Sequence, residues 1–269
     1  MRIAVISDVQ GNLAALEAVL AAVDATSPEI DRIISAGDAV GRGPHPNEVL
    51  ELFRERQIEP VLGNYDDAVA HERLSSGSDF ADLAGEEIDA AALSWTRRTL
   101  TPENLEYLRQ VPRDIRLSRA PGGVKVDRNT GDQATNEYRK GWLTRALFGG
   151  LARAPRLPGR RILVVHGSPR ALNEFVREDT ANSILSTIAD NAQADVVITG
   201  HAGQGFQREA QGTTFIGVGS VSGTAARYAV ITFAEKVESE FPEVQYDRAA
   251  HVRAVFESGL PSELAAAGS

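Results

Sequence analysis

RIAVISDVQGNLAALEAVL, residues 2–20, is the stretch whose reading decides the fold. Its first part, Ile3 to Ile6, is unbroken apolar sequence rich in β-branched residues, the pattern of a strand buried on both faces and not of one with a wet side. Beyond Gly11 the pattern changes. Leu13, Leu16, Val19, Leu20 and Val23 recur at helical spacing, and Asn12 stands where an N-cap belongs, so a helix is expected over Asn12–Ala25. The loop between strand and helix carries Asp8 and Gln10, two polar side chains two residues apart. In open α/β sheets ligands bind beyond the carboxyl ends of strands, which makes this loop the first place to look for a site.

Working outward, six more Ile/Val-rich runs are bounded by turn residues: Arg32–Ala36, Ile58–Leu62, Arg161–Val165, Asp195–Thr199, Thr213–Val218 and Tyr228–Thr232. Helical patterns over Asn47–Arg56, Ala91–Thr99, Glu103–Gln110 and Asn182–Asn191 alternate with several of them. Strands alternating with helices predict a layered α/β fold with a parallel or mixed sheet. One domain over residues 1–258 is expected, with an insertion, lid or long loop at about 120–158 and a flexible tail over 259–269. The insertion is rich in Gly, Pro, Asn and Arg around a helix-like island, Glu137–Leu147. Glu235–Glu240 reads as an acidic connector.

With 42% apolar and 24% charged residues, the composition is that of an ordinary globular protein, excluding disorder and offering no membrane span. The start, Met1 to Ile6, lacks the features of a signal peptide, so a chain beginning at Met1 and a cytoplasmic setting are expected. There is no cysteine, hence no disulfide, thiolate ligand or thiolate nucleophile. A net charge of −9 argues against non-specific nucleic-acid binding by the whole chain. The exception is Arg119–Arg161, with ten basic residues against three acidic ones, which could attract an anionic substrate.

The strand-like runs end on a series of polar residues: Asp8, Asp38, Asn64, His166, His201 and Ser220. Singly, an Asp or Asn after a strand is a common turn former. The joint pattern carries more weight, because two of only five histidines, His166 and His201, stand at strand ends beside glycine. Carboxylate, amide and imidazole groups delivered to one rim are the donor set of a divalent metal site.

The blocks Asp8-x-Gln10, Gly37-Asp38-x-x-x-Arg42-Gly43, Gly63-Asn64-Tyr65-Asp66, His166-Gly167 and Gly200-His201 resemble, in this order, the calcineurin-like metallophosphoesterase superfamily. The small prokaryotic phosphodiesterase-like branch is the most similar, through Gly43–Val49, Leu93–Pro112 and His166–Phe175. The resemblance implies a four-layer αββα sandwich, two mixed sheets flanked by helices, with a two-metal site at the strand ends. One metal's ligand set is complete at Asp38, Asn64, His166 and His201. The other is damaged, because Gln10 and Gly203 stand where the family has histidines, leaving Asp8, the shared Asp38 and Gln10. An oxygen-only remnant suits Mg²⁺, Mn²⁺ or Ca²⁺ better than Zn²⁺.

A third departure is Tyr65, which replaces the family's phosphoryl-stabilising histidine. Tyr65, Asp66 and Arg42 are therefore the expected catalytic residues, and Arg42, His45 and Arg170 the expected substrate contacts. The implied activity is a metal-dependent phosphoester hydrolase, of phosphodiesterase or nucleotide phosphatase type, using a metal-activated water and one or two divalent ions (Mn, Mg, Fe, Ni or Zn). The partner expected is a phosphorylated small molecule or nucleotide, with the chain itself as a candidate homo-oligomer. The alternative is an impaired nucleotide- or phosphate-binding sensor or scaffold that retains one metal. A third reading, an enzyme holding nucleic acid through the basic segment, would be marked by strong salt dependence.

Overall fold

The structure is a computed structural model that describes residues 1–120, 123–129 and 160–266. In chain order it contains β1 (Arg2–Ile6), α1 (Leu13–Asp24), β2 (Arg32–Ser35), α2 (Pro46–Glu55), β3 (Glu59–Pro60), α3 (Asn64–Ala70), α4 (Leu83–Thr99) and α5 (Pro102–Arg109). Next come β4 (Asp114–Ala120), β5 (Gly123–Asn129), β6 (Arg161–Val165), α6 (Asn182–Ala192), β7 (Val196–Thr199), β8 (Phe206–Ala210) and β9 (Thr213–Gly217). The last are β10 (Ala226–Arg227), β11 (Ala229–Phe233), β12 (Val237–Glu240), β13 (Glu243–Val244), α7 (Arg248–Ser258) and α8 (Glu263–Ala266).

Two mixed sheets form the middle of the fold. The first has the order β12-β11-β1-β2-β3, the second β5-β4-β6-β7-β9-β8, and β10-β13 makes a small separate ribbon. β1 runs parallel to β2, with Ile3 opposite Arg32 and Ile6 opposite Ser35. β6 runs parallel to β7, and β7 to β9. Because strand side chains alternate between faces, β1 sends Ile3 and Val5 into the layer between the sheets, where they meet Ile162 and Val164 of β6. Ala4 and Ile6 face the opposite way, into the cluster with Leu16, Val19 and Leu20 of α1. On the second sheet Leu163 and Val165 pack against Leu185 and Ile188 of α6. Apolar residues on both faces of β1 and β6 thus produce four layers, helix, sheet, sheet and helix, as the unbroken runs required.

Three expectations are corrected. The first described part of the expected insertion at about 120–158 is a strand: β5 (Gly123–Asn129) pairs antiparallel with β4 from Asp114↔Asn129 to Ala120↔Gly123, and β4 joins β6. The rest of the expected insertion, including Glu137–Leu147, lies outside the described residues. Of the expected flexible tail, residues 259–266 pack down, with Leu260, Leu264 and Ala265 buried in one cluster with Ala92 and Val255. The acidic connector forms an edge strand, β12, paired with β11 from Val230↔Glu240 to Phe233↔Val237.

Candidate metal centre

Parallel pairing sets the site. β1 and β2 point their carboxyl ends the same way in one sheet, as do β6 and β7 in the other, and the loops that follow carry Asp8, Asp38, His166 and His201. The backbone there is unusual. Asp8 (φ 56°), Gln10 (φ 50°), Asp38 (φ 55°) and His201 (φ 60°) are four of the eight non-glycine residues in the left-handed region among those described. Such conformations each cost on the order of 1–3 kcal/mol and persist where the surrounding structure imposes them. Here cross-strand bonds do so: Asp8 N–H donates to Gly37 O at 3.0 Å and Gln10 N–H to Asp38 O at 2.9 Å. Glycine is required beside these loops, since a Cβ on Gly63 would fall on the backbone nitrogen of Asp38, and one on Gly37 would lie 2.5 Å from His166 Nδ1.

His166 is fully buried and Asp38 and Asn64 nearly so. His166 Nδ1 donates to Ala36 O at 2.7 Å, and its Nε2 faces Asn64 Oδ1 at 2.9 Å and Asp38 Oδ2 at 3.4 Å. Asn64 is oriented from behind, its Nδ2 donating to Ser76 O and Ser78 Oγ, each at 3.1 Å, so Oδ1 must point inward. Asp38 Oδ1 accepts from Tyr65 N–H at 2.9 Å. The His201 ring donates to the Asn173 backbone carbonyl, while its Nε2 is enclosed without a partner. Phe175 stacks on that ring at 4.3 Å, and the Arg177 guanidinium lies 4.3 Å from the Phe175 ring centroid. One ligand atom each from Asp38, His166 and His201 falls within 4.8 Å of the others, the one such group among the described residues.

These atoms fit a divalent ion. His166 has its Nδ1 occupied by the Ala36 carbonyl, and His201 keeps its Nε2 without a partner, an arrangement that presents Nε2 of both rings as the ligand. Separations of 2.9 and 3.4 Å match the roughly 3–3.5 Å edges between donors that lie about 2.0–2.2 Å from a shared metal. Without a cation, only a proton can hold Asn64 Oδ1 and Asp38 Oδ2 against Nε2. Burial pulls His166 down, but the Asp38 charge, the bond to Asp38 and the Asp8 charge carry it up to about 9. His201 goes the other way, to about 4, through burial and the neighbouring His166 charge. Asp8 is pushed up to about 6, mainly by burial, and its Oδ2 has no partner.

The centre opens into a cavity of about 460 Å³ lined among others by Asp8, Gln10, Asp38, Arg42 and His201. Gly203, Ser220 and Thr224 form its wall where the second family imidazole would stand. Arg42 makes no hydrogen bond among the described residues, and its Nε is enclosed without a partner.

Four expected site residues are placed differently. Tyr65 lines the cavity, but its hydroxyl donates to Asp89 Oδ1, and Asp89 Oδ2 also accepts from Ser76 Oγ at 2.8 Å. Burial and then the Asp89 charge raise the phenol far above its ordinary value, so it cannot supply a proton to a leaving group. Asp66 is not a reacting group either: buried, it accepts from the backbone N–H groups of Ala39, Val40 and Gly63 at 3.0–3.2 Å and ties the Asp38 loop to α3. Burial and the Asp38 charge push its carboxyl up to about 7 against those amides. Arg170 is held by both carboxylate oxygens of Glu174 and does not line the cavity. His45 starts α2, its N–H donating to Gly11 O at 3.1 Å, and lies off the cavity wall.

Sequence reasoning missed Asp89, Ser76, Ser78 and His251, none of which lies in a motif. Asn173 and Phe175 fall inside the His166–Phe175 stretch that carries the resemblance, but nothing in it marked them as neighbours of His201.

Comparison with known proteins gives the same picture. A structure of a metallophosphoesterase from Sphaerobacter thermophilus is similar over 100% of this chain and 99% of its own, with a TM-score of 0.65 and 26% identity. A hypothetical protein from Pyrococcus horikoshii OT3 shares the fold, with a TM-score of 0.71 at 21% identity over 98% of this chain and 96% of its own. An uncharacterized protein of Methanocaldococcus jannaschii is 39% identical over 110 residues, 41% of this chain and 42% of that relative, so the match spans less than half of either. The family model described as calcineurin-like phosphoesterase matches residues 1–204, a span that holds every ligand atom of the centre. On that match, and on a donor set that fits its metal chemistry, the chain belongs to the calcineurin-like phosphoesterase family.

Proposed function

We propose that the protein is a metal-dependent phosphoester hydrolase acting on a phosphodiester or nucleotide, with one divalent ion held by Asp38, Asn64, His166 and His201. The observation that carries this reading is the convergence of those acceptor atoms beneath a cavity of about 460 Å³ whose wall includes the unpaired Arg42. A bound divalent ion supplies Lewis-acid polarisation of a phosphoryl oxygen and activation of water at neutral pH. The chain's own residues do the rest. Arg42 offers N–H donors to phosphate oxygens. The Ala36 and Asn173 carbonyls keep both imidazoles turned toward the centre, and Asp66 holds the Asp38 loop in place. The cavity has the size of sites that enclose small organic ligands, which supports a nucleotide-sized substrate over a protein.

The alternative, a phosphate- or nucleotide-binding sensor, is favoured by one observation: the engagement of Tyr65 by Asp89 leaves the family's proton-donating position without a free acid. Hydrolysis of a chromogenic phosphodiester by metal-stripped protein, titrated with Mn²⁺, Mg²⁺, Ni²⁺ and Zn²⁺, separates the two. Manganese is expected to support saturable turnover that His166→Ala abolishes. Tight binding of one ion without turnover for any metal would establish the sensor reading instead.

A further inference from the structure

Behind Gln10 lies a second, smaller cavity of about 20 Å³, lined by Gln10, Asn12, Arg42, Ser222 and His251 among others. It has room for about one water, which needs roughly 10–15 Å³. Three lining side chains each bring an enclosed atom without a partner: Gln10 Oε1, Arg42 Nε and His251 Nδ1. Gln10 itself is only 9% exposed. Buried polar atoms left unpaired are costly, and one water removes the cost at all three. A water there would donate to Gln10 Oε1 and to Nδ1 of a neutral His251, and would accept from Arg42 Nε–H. His251 is suited to accept, because burial and then the nearby His45 hold it down at about 4 and therefore uncharged at neutral pH.

Gln10 and Arg42 line both cavities. With Oε1 committed to the water, the end of Gln10 left for the large cavity is its amide nitrogen, which is not among the enclosed unpartnered atoms. An amide N–H donates and cannot ligate a metal. Across the same wall Gly203 offers no ligand and Thr224 offers a hydroxyl, while the Ser220 hydroxyl is engaged with Asp8 O and Ser222 Oγ. Beside the Asp8 carboxylate, whose Oδ2 has no partner, this side of the rim therefore presents an amide donor and no imidazole where the resemblance placed a second metal.

We propose that Gln10 is not a metal ligand but a donor to a phosphate oxygen of the substrate, its amide oriented by His251 of α7 through one buried water. The inference rests on the hydrolase reading above and gives it a single metal, with Gln10 and Arg42 meeting the anion on the other side. α7 lies beyond residues 1–204, the span the family model matches, so the device is carried by the C-terminal part of this chain. His251 is a positioning residue: it acts through the water and touches no reacting atom.

The test uses the full-length Mn²⁺-loaded protein and inorganic phosphate as the probe, with metal content measured on the same samples. Gln10→Ala is expected to weaken phosphate binding by about tenfold, the worth of a hydrogen bond to a charged group, with Mn²⁺ per chain unchanged. His251→Leu should weaken it in the same direction, adding little in combination with Gln10→Ala. His251→Asn, whose amide can hold the same water, should restore binding, which a merely space-filling role would not. A fall in Mn²⁺ per chain in Gln10→Ala, or unchanged phosphate affinity with the variant folded, would overturn the proposal. An unaltered protein that binds no Mn²⁺ would overturn the hydrolase reading itself, a result distinguishable from either.

Discussion

The two halves of the rim are built by opposite rules. Around His166 and His201, the candidate ligands are held from behind by backbone or side-chain partners, and Asn64 Oδ1 and Asp38 Oδ2 face His166 Nε2. Around Gln10 and Gly203, the side chains lining the cavity include the Gln10 amide, the Thr224 hydroxyl, Arg42 and the Asp8 carboxylate, with unpartnered atoms on Gln10, Arg42 and Asp8. The difference teaches that losing imidazoles has not simply damaged one half. One half retains acceptors that fit a cation, and the other sets the donors of Gln10 and Arg42, which the proposal assigns to an anion, beside the Asp8 carboxylate.

The largest effect expected is from His166→Ala. It removes the fully buried ligand whose nitrogens meet Ala36, Asn64 and Asp38, and should abolish stoichiometric Mn²⁺ binding, measured by elemental analysis after dialysis. Retained binding would place the ion elsewhere. Next, Gln10→His combined with Gly203→His should convert the donor half back to an acceptor half and raise Mn²⁺ from one to two ions per chain. A Cβ at Gly203 has room, the nearest atom being Ser220 Cβ at 3.7 Å, although φ +64° there makes a side chain strained. If the count stays at one in a folded variant, the two halves differ by more than these imidazoles.

A smaller effect follows from Tyr65→Phe. Loss of the hydroxyl deprives the buried Asp89 of one donor, while Ser76 Oγ remains. Unfolding should become easier by about 1–3 kcal/mol in denaturant titrations, with turnover per folded molecule changed less than twofold. A hundredfold loss of turnover without a change in stability would make Tyr65 a reacting group after all.

Much of this contrast is legible in the amino-acid sequence. Ile3–Ile6, Arg161–Val165 and Asp195–Thr199 are apolar on both faces, so their burial between layers is written in the composition of each run. The residues that follow them mark the rim for the same reason. What is not legible depends on distance along the chain or on weak periodicity. Tyr65 and Asp89 are 24 residues apart, and only the packing of α4 against α3 brings phenol to carboxylate. α7 buries only Val255, so its sequence carries almost no apolar stripe, and nothing local announces that His251 reaches the back of Gln10. β4 and β5 are hidden by their Arg, Lys and Asp residues, which an edge hairpin tolerates.

The pH behaviour gives the most direct test. His166 in the metal-free fold has its affinity for protons raised from the ordinary imidazole value of 6.5 to about 9, so its contribution to stability is fully present below 6.5 and is lost as pH rises through 9. A metal must displace that proton. At pH 7.5 His201, held at about 4, and Asp8, at about 6, carry none to release. The decisive measurement is calorimetry of Mn²⁺ binding to the metal-free protein at pH 7.5 in buffers of different ionisation enthalpy. Release of about one proton per ion, disappearing as pH rises past 9, is the predicted result. Binding with no proton release would mean that the ion does not take the place of the proton between His166, Asn64 and Asp38, contradicting the central claim.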